Sequence, residues 1–362
     1  MTGKTEFGTV IVTGGAGFIG CALSQRLAER AERWVVLDSM HPQVHGTTTR
    51  PAELHEKAEL VVGDVSDPAA WDALLQDVRP DLVIHLAAET GTAQSLDEAS
   101  RHSIANVVGT TQMMDAFGRA GHLPSRVVLS SSRAVYGEGT WKDEDGESFR
   151  PGQRSHEQFE AAQWDFPGAT ALPSSAATTV PAPTSVYGAT KLAQENILSA
   201  WGEARGVDVT ILRLQNVYGP GQSLINSYTG IVSLFSQLAR DGKSIPLYED
   251  GQIVRDFVFI DDVADAFVAA IEAGPDLPVL DIGSGVATTI EQLAETIAAY
   301  YSAPAPHVNG KYRDGDVRYA ACSIETTLGT IDWAPAWPLD RGLAALQEWI
   351  AAELPQDGTA RA

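Results

Sequence analysis

One segment constrains this chain more than any other: Thr13-Gly14-Gly15-Ala16-Gly17-Phe18-Ile19-Gly20. It follows an apolar run at 9–13 and opens an apolar stretch of helical spacing at 18–30, so it reads as the first turn of a βαβ unit. Glycines at 14, 17 and 20 allow a tight turn, a close backbone approach to a diphosphate, and close packing of the helix on the sheet. The free N–H groups at the helix start add an anion cradle. Gly14, Gly17, Phe18, Ile19 and Gly20 are therefore candidate contacts for a dinucleotide.

The rhythm continues. Short apolar runs at 34–37, 59–62, 82–85 and 126–129 alternate with helical spacing at 68–76 and 95–119. Buried runs separated by helices predict an α/β fold with a doubly wound parallel sheet, the Rossmann arrangement. With 362 residues, the chain has room for a smaller α/β substrate-binding part as well. The expected division gives 1–215 plus about 252–280 to the dinucleotide part and 216–251 plus 281–354 to the substrate part. A tail at 355–362 is expected to fray. The stretch 137–183 is polar, rich in Pro, Ser and Gly, and without clear periodicity. It reads as a loop inserted after the fifth strand, placed to hang over a substrate pocket and shape selectivity.

A net charge of −22 argues against a protein that grips nucleic acid or an anionic membrane. Two cysteines far apart match no metal spacing and no disulfide framework. No apolar run approaches the ~20 residues of a membrane span, and the short polar start carries no secretory pattern, so a cytoplasmic location is expected.

Acids stand at the ends of the predicted strands. Asp38 can accept both hydroxyls of an adenosine ribose and would repel a 2′-phosphate, which predicts NAD over NADP. Asp64, beside Val65, is placed for the adenine amine. Leu86, Ala87 and Ala88 are small enough for a close cofactor approach, whereas His85 reads as strand-end packing. Further on, Tyr187 and Lys191 share one face of a helix at i and i+4. An ammonium nearby favours phenolate, making a tyrosine usable as a general base. Ser132, in a Ser-rich strand end, can donate to the oxygen that Tyr187 deprotonates.

These marks together resemble the extended short-chain dehydrogenase/reductases, specifically the NAD-dependent sugar epimerase/dehydratase family. The resemblance includes Arg213-Leu214-Gln215-Asn216-Val217-Tyr218-Gly219-Pro220 and Arg255-Asp256-Phe257-Val258-Phe259-Ile260-Asp261-Asp262-Val263. Four segments, at 41–46, 136–139, 226–230 and 311–316, are most similar to the dTDP-L-rhamnose 4-epimerase branch. The resemblance implies a Ser132–Tyr187–Lys191 catalytic set, with Tyr187 and Lys191 also touching the cofactor. It further implies that Asn216, Arg255 and Arg313 hold the diphosphate of a nucleotide sugar, as the planar guanidinium fork suits. Asp261 or Asp262 is expected to cap the next helix. Homodimerisation through 95–119 and 186–201 is expected too.

The implied reaction is C4 epimerisation of a nucleotide-diphosphate hexose, a dTDP-6-deoxyhexose, through a transient 4-keto sugar. Where the 4,6-dehydratases carry an Asp-Glu pair, this chain has Arg133 and Ala134, so water elimination lacks its acid and base. Ala134 also stands where the decarboxylases have Glu. Ser323 replaces an Asp common in relatives. Two alternatives stay open: a 4-ketoreductase or dehydrogenase with net NAD(H) exchange, and a dinucleotide-binding regulator without turnover.

Overall fold

The structure, a computed structural model, describes residues 6–224 and 230–354. Most of the expected segment at 226–230, and the tail at 355–362, lie outside the described residues.

Seven parallel strands form the central sheet: β1 (Phe7–Thr13), β2 (Ala31–Asp38), β3 (Ala58–Val62), β4 (Leu82–His85), β5 (Arg126–Ser132), β6 (Asp208–Leu214) and β7 (Leu280–Ile282). Their spatial order is β7-β6-β5-β4-β1-β2-β3. Strand alternation builds two cores. Val10, Val12, Trp34, Val36 and Ile84 enter one with Phe267, while Ile11, Val35, Leu37 and Val83 enter the other with Trp71 and Phe117. Both faces are thus buried, as a sheet of apolar runs requires. Strand order reverses between β1 and β4, opening a crevice at their C-terminal ends.

The expected boundary at 280 cuts the seventh strand. Leu280, Asp281 and Ile282 pair with Leu212, Arg213 and Leu214, so the sheet runs to Ile282. Three residues are too few to announce a strand by periodicity.

Two helices matter for the site. The first, α1 (Phe18–Leu27), leaves the glycine loop. The second, α2 (Val186–Arg205), starts where Ser185 Oγ accepts the Gly188 N–H at 3.1 Å and stops at left-handed Gly206. The helix expected over 95–119 is a short turn, Gln94–Asp97, followed by one helical run from Ala99 to Ala120 that carries a π turn at Ile104–Val108. The π turn sits where the Asn106 amide turns inward, donating to the Glu89 carbonyl and to Thr190 Oγ1 and accepting from the Glu89 N–H.

The stretch 137–183 is folded rather than a plain loop. Trp141–Lys142 pairs antiparallel with Ser148–Phe149 and with Thr170–Ala171, and His156–Glu160 forms a short helix with a Ser155/Gln158 capping box. Two-residue strands leave no periodic signal, which is why the sequence pattern missed them. A third apolar core gathers Tyr218, Phe235, Leu247, Phe259, Leu293 and Leu346. The helix at Ile260–Ala273 has no side-chain cap. Asp262 instead accepts from the Ala336 and Trp337 N–H groups, and Asp261 pairs with Arg26, so the capping expectation fails. Both cysteines are free and buried. Among the described residues no helix is long and apolar enough to cross a membrane.

Candidate active site

A cavity of about 1260 Å³ opens over the C-terminal ends of β1 and β4. The glycine loop forms its floor. Gly14 holds φ +66°, and a Cβ there would stand 2.8 Å from the backbone of Ala87. At Gly20 a Cβ would meet the Gly15 backbone at 2.4 Å. Only glycine permits both approaches. Gly17 begins α1 with no side-chain cap, so the first-turn N–H groups stay available to an anion.

Every expected cofactor contact except Lys191 lines this cavity. Asp38 is buried; its Oδ2 accepts the Ala16 N–H at 3.0 Å and its Oδ1 the Met40 N–H at 2.9 Å. A carboxylate has about four acceptor positions, so capacity remains for a ribose diol. His45 Nε2 stands 3.4 Å from Oδ1. Asp64 is exposed and commits Oδ1 to the Ser66 N–H and hydroxyl, both at 2.8 Å, leaving Oδ2 for a ligand. A glycine cradle at a helix start, with two acids beyond it, fits a dinucleotide.

His85 lies below, fully buried, with Thr13 Oγ1 at 2.7 Å and Thr110 Oγ1 at 2.9 Å. Burial first, then the Lys191 charge, pushes its pKa down to about 3, so the ring is neutral and serves packing.

The reactive side chains come from β5 and α2. Ser132 ends β5; its Oγ accepts the Ala134 N–H at 3.2 Å, and Ser132 and Tyr187 line the same cavity. Burial pushes the Tyr187 phenol up, while Ser132 and the positive charge of Arg133 pull it back. Lys191 lies behind the wall, donating to the Ser130 carbonyl at 2.8 Å. Burial lowers its pKa to about 7 against the raising effect of Glu195. Arg133 and Tyr187 both line the cavity, whereas Lys191 sits one helical turn behind Tyr187.

The expected substrate contacts separate. Ser132 and Asn216 line the cavity; Arg255 and Arg313 do not. Arg255 is buried, with Nη2 on Asp316 at 2.6 Å and Nη1 on the Val254 and Val317 carbonyls. Arg313 lies 5.0 Å over the Tyr248 ring. Arg133 takes the wall position, its Nε donating to Asn216 Oδ1 at 2.8 Å. Gln215, which the motif reading passed over, also lines the cavity with a buried Oε1 that has no partner among the described residues. The charge directly after Ser132 was the sequence signal for Arg133; nothing marked Gln215.

No residue of 137–183 lines the cavity among those described. That segment packs instead on the C-terminal part through Arg154, which is fully buried and forks onto Glu249 at 2.8 and 3.0 Å. Arg318 joins it to Asp165, Asp250 and Glu249.

The family model for the NAD-dependent epimerase/dehydratase family matches residues 10–164 and 165–283. The chain belongs to that family. Its cofactor is NAD and its fold is that of the extended short-chain dehydrogenase/reductases. A dTDP-L-rhamnose 4-epimerase of Burkholderia thailandensis is 62% identical over 95% of this chain and 95% of its own. Among solved structures, the UDP-glucose 4-epimerase of Thermotoga maritima with UDP-glucose matches with TM-score 0.78 at 27% identity, covering 96% of this chain and 99% of that one. The Thermus thermophilus UDP-glucose 4-epimerase complex with NAD matches with TM-score 0.73 at 25% identity, over 94% of this chain and 98% of that one.

Proposed function

We propose that this enzyme interconverts dTDP-L-rhamnose and its C4 epimer in the cytoplasm. Near-full-length similarity to a dTDP-L-rhamnose 4-epimerase carries the substrate assignment. The reaction follows from Ser132 and Tyr187 meeting on the wall of the cofactor cavity.

Tyr187 Oη takes the proton of the sugar 4-hydroxyl, and Ser132 Oγ donates to the same oxygen. When bound, NAD supplies reversible hydride acceptance from C4. The residues that would hold it are the glycine loop, Asp38, Asp64 and Ala87, with Lys191 placed behind Tyr187. A 4-keto sugar that turns over in the site regains its proton from Tyr187 on an oxygen that now points the other way. Proton and hydride both return, so the cycle is redox-neutral. Asn216 serves the diphosphate. Residues 1–215 and about 252–282, with 137–183 inserted, carry the cofactor, and 216–251 with 283–354 carry the sugar nucleotide.

The working unit is a homodimer. Of the apolar residues on the 94–120 segment, Met113 is spent in the core, but Leu96, Ile104 and Val108 stay exposed beside α2. A monomer by light scattering would refute this.

Incubating the enzyme with dTDP-, UDP- and GDP-sugars without added cofactor, with products resolved by NMR, tests the reading. Two C4 epimers from dTDP-L-rhamnose are expected. Turnover only with stoichiometric NAD or NADH would replace the epimerase with a net oxidoreductase.

A further inference from the structure

Directly after Asp38 the chain leaves β2 through a corner, a single helical turn and a second corner. Met40 takes a left-handed φ of +51°, with its N–H held by Asp38 Oδ1 at 2.9 Å and its side chain buried in the sheet core. Few residues other than glycine adopt that shape unaided, so this corner is fixed by its surroundings. Pro42–His45 forms the turn, in which His41 Nδ1 accepts the Gln43 N–H at 3.2 Å, and Gly46 ends it at φ +67°. His41, Gln43, Val44 and His45 all line the cavity.

The partners of this turn decide its use. Gln43 Nε2 donates to Gln94 Oε1 at 3.2 Å, and Gln43 Oε1 accepts from Arg101 Nη2 at 2.8 Å. Arg101 is itself anchored, with Nη2 on Glu89 at 2.8 Å and Nη1 on Glu98 at 2.7 Å. A second tie comes from the 216–251 part, where Ser223 Oγ donates to the Val44 carbonyl at 3.1 Å. Gln94 and Arg101 belong to the segment that follows β4, whereas the turn follows β2. Between β2 and β4 lies β1, which ends in the glycine loop. The turn therefore spans the crevice over the glycine loop and is fastened on its far side.

We propose that residues 41–46 form a strap that gates the passage of NAD, with Gln43 as its clasp. The strap's role rests on NAD being the ligand of the glycine loop. Both ties join protein to protein, so they oppose entry and exit alike. A side chain that gripped the cofactor itself would act on exit alone. Gln43 makes the stronger tie, because its Arg101 partner is charged. The tie from Ser223 to Val44 is a neutral hydrogen bond and holds less. Such a strap suits a redox-neutral cycle, in which the hydride taken from a sugar returns to it from the same cofactor.

The test separates exit from affinity. Enzyme loaded with radiolabelled NAD is chased with unlabelled NAD to give the release rate, and equilibrium dialysis gives Kd. Gln43→Ala should release NAD about tenfold faster, with Kd moved less than about threefold, so that entry quickens as well. Ser223→Ala should release it about threefold faster, and the double variant about thirtyfold, because opening must break both ties. Gln43→Met, which keeps the length of the side chain without its polar end, repeats the measurements should the alanine variant fold poorly. Unchanged release in all variants would overturn the proposal. Faster release matched by an equal rise in Kd would do so too, leaving Gln43 as a direct contact of the cofactor. A wild type that binds no NAD would instead sink the cofactor reading beneath it, so the two failures are distinguishable.

Discussion

The cofactor floor and the junction between the 137–183 segment and the C-terminal part are ordered by opposite means. At the floor, apolar strands and glycines do the positioning, and the polar groups are left for a ligand. At the junction, Arg154 and Arg318 are buried among Glu138, Glu249, Asp250 and Asp165, and polar groups hold protein to protein. Apolar packing tolerates small losses of volume, whereas a buried ion network fails sharply when one member is removed. The contrast separates sites of chemistry from sites of assembly.

The largest expected effect breaks chemistry without touching assembly. Tyr187→Phe should lower kcat about 10²–10⁴-fold, with thermal melting little changed, because only the hydroxyl is removed. Assayed turnover above a tenth of wild type would contradict the role given to Tyr187. Next, Arg154→Met should break assembly: Glu249 loses its fork and keeps only Arg318, and Glu138 loses its charge partner, which should destabilise the protein by about 3–5 kcal/mol in urea unfolding. Ile84→Val, in the sheet, should lose only about 0.5–1.5 kcal/mol. Equal losses would erase the contrast.

The third effect is a pH dependence of the junction. Burial lifts Glu138 to about 7, with Arg154 and the Arg318 N–H opposing the rise. A carboxyl with a raised folded pKa favours the native state while protonated. Its contribution is full below the ordinary glutamate range and is lost as pH climbs to about 7. Unfolding free energy should therefore fall by about 1–3 kcal/mol between acid and neutral pH, and Glu138→Gln should flatten that slope. Asp281, lifted to about 6 by burial, adds a slope of the same sign that the variant keeps. The smallest effect lies at the chemical end: Ser185→Ala removes the cap of α2 and should lower stability by about 1 kcal/mol.

What could be read from the sequence follows the same divide. Strand alternation, the glycine spacing and the acids at 38 and 64 are local patterns, and the structure puts each at the cavity. The junction depends on pairs such as Arg154 with Glu249, which no local spacing announces. The resemblance assigned Arg255 and Arg313 to the ligand's diphosphate; their neighbours in the fold, Asp316 and Tyr248, are likewise pairs that no local spacing announces. The π turn at Ile104–Val108 escaped because its cause, the inward Asn106 amide, lies in contacts with Glu89 and Thr190.

The most direct test of the central claim follows one atom. Enzyme with its own bound cofactor would be given dTDP-L-rhamnose deuterated at C4, in ordinary water, and both epimers examined by NMR and mass spectrometry. The account predicts that deuterium stays at C4 in substrate and product, because hydride leaves and returns within one site. Deuterium lost to solvent or to added NAD would contradict it.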